Sequence, residues 1–418
     1  MRERVAVVGA GIAGLTAAHL LQRRYDVHLF EAEDRLGGHT HTHEIPADGG
    51  GKLAVDSGFI VFNERTYPNL IRLFGELGVE SRPTEMSMSI RCEGCGLEYA
   101  GGRGAAGVFA QPRAIVNPAF LNLLREVRRF HRLATELLVA EDDTVTLGEF
   151  LTKEKFSAYF TRHFMIPTVS CVWSSAAQDA LGYPARYLFS FLDNHGMLSV
   201  SGSPTWRTVV GGSHAYVQRI VKNLSAVVTS TPVRQVIRHG DGVEVRTDGD
   251  QLALFDGVVV ATHADTALRL LDTPTKAELA TLDAFGYSSN ATWLHTDDRI
   301  LPRARRAASS WNYLLPDCGA NPDRVLVSYD MNRLQGLPGT TPHIVTLNAL
   351  DRIDETKVLA RMTYEHPIYT RTSVAAQKSL PALNDGTIAF AGAYHGWGFH
   401  EDGCLAGVAA AASLGVTW

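Results

Sequence analysis

The chain has 418 residues, enough for two or three domains' worth of core, and its 45% hydrophobic and 20% charged residues are the balance of an ordinary soluble globular protein. A formal net charge of −5 gives the whole molecule no electrostatic pull toward nucleic acid. Five cysteines in so long a chain argue against a disulfide framework, and no stretch approaches the ~18 apolar residues that span a bilayer. The opening Met1-Arg2-Glu3-Arg4 and the short apolar run after it, soon broken by glycine, do not make a secretory leader. A reduced, cytoplasmic compartment is expected.

Residues 5–8 form a β-branched run that reads as a buried parallel strand. A tight turn over 9–14, a helix over 12–24 and an alternating strand over 26–31 complete a βαβ opening. A helix is expected over 67–77, stopped by Gly78. Residues 86–99 look like a hairpin around Cys92-Glu93-Gly94-Cys95-Gly96. An amphipathic helix comes next over 118–138, then mostly helical sequence over 147–200, broken at Pro167 and Pro184. Past residue 205 the pattern returns to a helix (215–224) and strands (227–229, 233–238, 243–247, 256–261). Further strands are expected near 292–295, 313, 325–329, 344–347 and 387–390, and a helix from about Leu405 closes the chain. No internal repeat is visible.

Gly9-x-Gly11-x-x-Gly14 follows a strand, opens a helix and precedes Glu31 at the end of the next strand, which is the context a dinucleotide site requires. Gly9 permits the turn, Gly11 lets the backbone approach a pyrophosphate and Gly14 lets helix and strand close up. The helix start, with Ile12 and Ala13, offers free N–H groups and a positive dipole end. Glu31 can accept hydrogen bonds from a ribose diol and repels a 2′-phosphate. These features alone leave NAD and FAD both open.

The segment from Glu31 onward is more specific. Glu31-Ala32-x-x-Arg35-x-Gly37-Gly38-His39 resembles the second signature of the flavin amine oxidase superfamily, which includes monoamine oxidases, protoporphyrinogen oxidases and phytoene desaturases. The resemblance implies that Arg35, Gly37 and Gly38 sit against the pyrophosphate and flavin. It extends to Asp56-Ser57-Gly58, to Gly211-Gly212 and to Val233, where the family's strand contacts adenine. It also covers the strand ending at Thr262, Gly392-Ala393, and Gly403-Cys404-Leu405 in the last helix, whose N-terminus the family points at the flavin carbonyl. Such a helix end stabilises negative charge on a reduced flavin. Asp330-Met331-Asn332-Arg333, Tyr364-Glu365-His366-Pro367 and Gly396-Trp397-Gly398-Phe399-His400 resemble one bacterial subgroup of FAD-binding oxidoreductases, often associated with cyclopropane-fatty-acid-synthase-like methyltransferases. Covalent-flavin members use a cysteine near the last helix. Cys404 stands in no matching motif, so the FAD is expected to be non-covalent.

Other residues carry two readings. His395 and His400, among the aromatics before the last helix, are the candidate catalytic residues for moving protons, or else they pack a tight turn. The glycines 392, 396, 398 and 403 are expected to give backbone clearance for the flat ring. Cys92-x-x-Cys95 lacks a second Cys or His pair at zinc spacing and reads as a hairpin turn, with no metal expected. Arg125, Arg128, Arg129 and Arg132 share one helix, and Arg303, Arg305 and Arg306 form a second basic run. Either is a solvated face or a peripheral contact with anionic lipid.

The fold expected is therefore α/β, a Rossmann-type FAD-binding domain with a discontinuous mixed α+β substrate domain, amine-oxidase-like. Residues 1–75, 205–265 and 380–418 are assigned to the first, and 76–204 and 266–379 to the second. One fingerprint without a second for NADPH favours an oxidase, desaturase or dehydrogenase moving a hydride between flavin and a carbon centre. The subgroup resemblance implies an apolar, acyl-lipid or other small-molecule substrate. An amine oxidase, a flavin-dependent isomerase and a non-catalytic FAD-stabilised binding module are the alternatives. An apolar tunnel would favour lipid, and an aromatic cage with a carboxylate would favour amine.

Overall fold

Arg4–Val8 is the middle strand of a five-stranded sheet in the order Ala226–Val228, Asp26–Phe30, Arg4–Val8, Gly257–Val260, Ile388–Phe390. Every pairing in it is parallel. Both faces are covered, which is why Val5–Val8 and Gly257–Val260 are apolar without alternation. On one face lie the helices Ile12–Leu21, Pro68–Leu77, His214–Val221 and His400–Ser413, sharing one core with Val5, Val7 and Val27. On the other, Ala6, Val8 and Val258 pack against an antiparallel sheet (Val233–His239, Gly242–Thr247, Leu252–Phe255) and the helix Ala264–Leu270. This computed structural model describes residues 3–199, 202–249, 251–319 and 323–418.

A second, seven-stranded sheet runs Val358–Ile368, Gly286–His295, Ile344–Leu347, Val327–Asp330, Trp311–Leu315, Met88–Cys92, Glu98–Gly101. Trp311–Leu315 and Met88–Cys92 are parallel, and the other neighbours are antiparallel. Its core is shared with a helical layer built on Pro118–Ala140, Ile166–Trp173 and Ala185–Asn194. Asn117 caps the long helix, its side chain accepting from the amides of Ala119 (3.0 Å) and Phe120 (3.2 Å), and Pro118 fills the first position, where its missing N–H costs nothing. Among the described residues no helix is long and apolar enough to cross a membrane.

The chain thus passes from the parallel sheet to the mixed sheet and back twice, the discontinuous α/β plan expected of it. Four details differ. The boundary placed at residue 265 falls inside Ala264–Leu270, whose Ala264, Ala267 and Leu270 are buried beneath the parallel sheet. Pro167 does not break a helix but sits in the first turn of Ile166–Trp173, directly after a π-helical turn over Thr161–Met165. The eleven-residue edge strand Val358–Ile368 has no clear signal in the sequence, because few of its residues are buried and its apolar alternation is weak. The last helix starts at His400, earlier than Leu405, because Asp402 accepts a hydrogen bond from the Phe399 amide (2.9 Å) and caps it there.

Candidate active site

A continuous cavity of about 1550 Å³ opens at the carboxyl ends of the parallel strands and runs on beneath the helical layer. Its nucleotide end is walled by backbone. Gly9 has φ +100°, a conformation that disfavours a side chain, and a Cβ there would come within 2.7 Å of the Ala261 carbonyl oxygen. A Cβ on Gly14 would sit 1.9 Å from the Gly9 oxygen. Gly11 is different: a Cβ would meet no protein atom within 4 Å, and the residue faces the cavity. The clearance there is for something other than protein. Gly11 is also the N-cap of the helix Ile12–Leu21 and provides no side-chain acceptor, so the amides of the first turn are left for a ligand. Glu31 is held by the amides of Ala10 (2.8 Å) and Glu33 (3.0 Å), and its remaining lone pairs are available to hydroxyl donors.

Further along the wall stand His39, His263, Tyr287, Tyr364, His366 and His400. His39 meets Tyr364 at 5.1 Å and the edge of His366 at 5.3 Å between ring centres. Burial holds His39 well below the usual imidazole range, and pushes His366 down to about 4 and His400 to about 3. These rings are therefore neutral at pH 7. His400 lies flat on Phe59, 3.7 Å between centres, and its Nε2 is 2.9 Å from Thr40 Oγ1, which in turn bonds the Tyr216 hydroxyl. Ser57 Oγ is 2.7 Å from the Tyr364 hydroxyl, joining the first strand–turn region to the edge strand of the mixed sheet. The nearby Asp56 is fully buried and accepts from Thr42, Ser213 and Gln335, while burial raises its carboxyl to about 6.

The model of the family described as flavin containing amine oxidoreductase matches residues 12–340. The chain belongs to that family. The Mycobacterium tuberculosis protein AofH, whose name places it with the flavin-containing monoamine oxidases, is 30% identical over 266 residues, 59% of this chain and 54% of AofH. The chain spans about half the length of that relative. Among solved structures, cyclohexylamine oxidase from Brevibacterium oxydans superposes with a TM-score of 0.70 at 17% identity, covering 99% of both chains. The CLA-producing fatty acid isomerase from P. acnes superposes at 0.69 and 16%, covering 97% of both. The fold is thus amine-oxidase-like. The residues present fit FAD: the open Gly11 and the first-turn amides suit a pyrophosphate, and Glu31 suits a ribose diol.

Of the residues singled out from the sequence, Gly9, Gly11, Ile12, Ala13, Glu31, Ala32, Gly38 and His39 line the cavity, as do Ser57, Gly58, Thr262, Gly392, Ala393 and His400. Others do not. Arg35 turns back to the Gly38 carbonyl (2.7 Å) and pairs with Glu33, and Gly37, at φ +116°, lies against Thr40. Both shape the turn rather than its surface. Val233 is half-buried and packs against the core under the parallel sheet. Gly403 and Cys404 belong to helix packing: a Cβ on Gly403 would reach 2.7 Å from Ile12 Cγ2, and the buried Cys404 thiol accepts from Thr16 Oγ1 (3.6 Å). Leu405 is half exposed on the outside of that helix. His395 is off the cavity wall; burial lowers it to about 4, and its Nε2 has no hydrogen-bond partner. The glycines of 392–403 are set by protein neighbours as well: a Cβ on Gly392 strikes the Tyr394 ring, one on Gly396 strikes Asp402, and one on Gly398 strikes Tyr369.

Two groups escape sequence reasoning. Tyr364 and His366 stand out there only as part of a motif, with no role attached. They reach the cavity because Val358–Ile368 pairs along Gly286–His295, with His366 opposite Ser288. The pair Cys92 and Cys95 also gains company that its spacing does not show: Cys318 and His163 converge on it, 226 and 68 residues away in the chain.

Proposed function

We propose that the protein is an FAD-dependent oxidoreductase of an elongated apolar substrate, an acyl chain with an anionic head group, moving a hydride between a carbon of that chain and the flavin. One observation carries this reading. Beyond the nucleotide cradle the cavity continues between the mixed sheet and the helix Pro118–Ala140, walled by Met88, Val108, Phe109, Leu124 and Phe164. Such a lining suits hydrocarbon. Among the described residues the carboxylates on the wall are Glu31 and Glu33, at the cradle, and Glu365, paired with His263 at 3.2 Å, so none of these stands in the apolar extension to hold an ammonium ion. Exposed Arg125 and Arg128 border the cavity on the long helix and offer charge to an acid head group.

The flavin, when bound, supplies the hydride chemistry. The chain's own residues do the rest. Trp173, Phe191 and Phe399 form an aromatic wall that excludes water, with Trp173 fixed by its Nε1–H to the Trp397 carbonyl (2.9 Å). The neutral imidazoles of His39 and His366 add no charge to the cavity wall. Exposed Ile115 and Val116, just ahead of the long helix with Arg113, form an apolar and basic tip through which the protein would touch an anionic lipid surface. The narrower resemblance to the bacterial subgroup associated with cyclopropane-fatty-acid-synthase-like methyltransferases supports the same substrate class, as does the fold shared with a fatty acid isomerase.

Solvent extraction of the purified protein followed by mass spectrometry should recover acyl lipid. Anaerobic mixing with a panel of acyl lipids and amines should bleach the flavin with the former. Bleaching by an amine alone would move the assignment to amine oxidation. A rearranged acyl product without bleaching would make the enzyme an isomerase, and no response across the panel would leave a binding module.

A further inference from the structure

We propose that Cys92, Cys95, His163 and Cys318 bind one Zn²⁺ in a closed, structural site that pins the helical layer to the mixed sheet. Their ligand atoms all lie within 4.8 Å of one another. Cys92 Sγ is 3.5 Å from Cys318 Sγ, and Cys95 Sγ is 3.7 Å from His163 Nε2. A tetrahedral zinc with ~2.3 Å bonds to sulfur and ~2.0 Å to nitrogen sets its ligand atoms roughly 3.5–3.8 Å apart. Three thiolates and an imidazole are a zinc donor set, and four protein ligands leave no open position for catalysis.

The local structure is built for it. Cys92 ends a strand, and its amide bonds the Leu97 carbonyl (2.8 Å), so that Cys92 and Cys95 sit on one short knuckle. Gly96 takes φ +69° to close that knuckle. The parallel register sets Leu315 opposite Cys92, which delivers Cys318 three residues later. Gly94 is required where that loop arrives, since a Cβ would come within 2.7 Å of the Cys318 amide nitrogen. His163 is buried in the π-helical turn, the kind of irregularity that helices carry at working sites. Its Nδ1 is 3.1 Å from the Tyr159 carbonyl and donates to it, which leaves the lone pair of Nε2 facing the sulfurs. Tyr159 stacks on the ring at 4.0 Å and fixes its plane. Arg162 donates to the Cys318 carbonyl (3.4 Å), placing positive charge beside a centre that carries a net −1 with three thiolates.

A disulfide uses only two of these groups and leaves an imidazole aimed at sulfur without purpose. Binding converts three thiols and a hydrated ion into the complex and releases three protons to solvent. Because Phe164, Thr168 and Cys171 follow His163 and line the cavity, the metal would hold the wall of the substrate chamber in place.

Elemental analysis of the holoprotein purified with reductant and without chelator should give one zinc per chain, whatever its FAD content. After chelation, reduced protein titrated with Co²⁺ should develop ligand-field bands to the red of the flavin. Cys95→Ser, at an exposed position, and His163→Ala should each fall to roughly a tenth of an equivalent or less while still purifying yellow. Reduced protein that takes up neither Zn²⁺ nor Co²⁺ would overturn the proposal. So would peptide mapping that finds Cys92 and Cys318 joined as a disulfide in protein kept under reductant, or a Cys95→Ser protein with its full equivalent of zinc.

Discussion

The nucleotide end of the cavity is walled by backbone at Gly9, Gly11, Gly38, Gly58 and Gly392, whereas the far end is walled by side chains such as Met88, Phe109, Leu124 and Phe164. A backbone wall gives the same shape whatever sequence surrounds it, so one cofactor is held by a few glycines at fixed spacing. A side-chain wall can be recut by substitution without disturbing the strands behind it. The difference explains how a family with one cofactor can spread over many substrates.

The largest expected effect separates two glycines of the same turn. In Gly14→Ala the new methyl collides with the Gly9 carbonyl, and overpacking of this kind costs roughly 1–3 kcal/mol or more, so the apoprotein should melt lower and the protein as purified should carry less FAD. In Gly11→Ala the methyl enters the cavity. The apoprotein should melt nearly as before while FAD binds at least about tenfold more weakly, ~1.4 kcal/mol. Equal melting losses in the two variants would show that both glycines serve packing alone.

The seam between the ends is tested by pH. His366 and His400 fold with pKa values of about 4 and about 3, below the 6.5 of an unfolded chain, and burial is the cause. Between those values the unfolded state binds more protons, so stability is full above 6.5 and falls as pH drops, by about 1.4 kcal/mol per unit per group. Asp56 and Asp402, raised to about 6 and about 7 by burial, act with the opposite sign in the same window. The informative measurement is therefore a comparison of melting profiles from pH 7 to 5, in which His366→Gln should be flatter than the parent. Parallel profiles would place the acid sensitivity elsewhere.

The smallest effect belongs to the side-chain wall. Leu124→Trp should leave FAD content and melting close to the parent while raising KM for a long acyl substrate about tenfold, worth ~1.4 kcal/mol. An unchanged KM with an acyl substrate would mean that the apolar extension is not where the chain lies.

The same division decides how much is legible in the sequence. The βαβ opening is local: strand, turn, helix and Glu31 lie within thirty-one residues, and the positive φ of Gly9 and the clash that fixes Gly14 belong to the turn itself, though Gly9 also abuts Ala261. The far wall needs the strand register. His366 reaches the cavity only because its strand pairs along Gly286–His295, and Cys318 meets Cys92 only through a parallel pairing across 226 residues. The turn at 392–403 shows a subtler error. Its glycines do mark close approach, but the bodies approaching Gly396 and Gly398 are Asp402 and Tyr369. A glycine reports crowding without naming the neighbour.

The contact between Thr16 and Cys404 spans 388 residues, and the helix Ile12–Leu21, buried almost all round, takes one of its walls from His400–Ser413. A ribosome making this chain delivers the glycine turn and the helix that covers it 388 residues apart. Until that helix emerges Leu15, Leu20 and Leu21 have no complete shelter, and the parallel sheet lacks its edge strand Ile388–Phe390. The parallel half cannot complete its packing until residues 388–413 have emerged, and its apolar surface stays open to chaperones meanwhile.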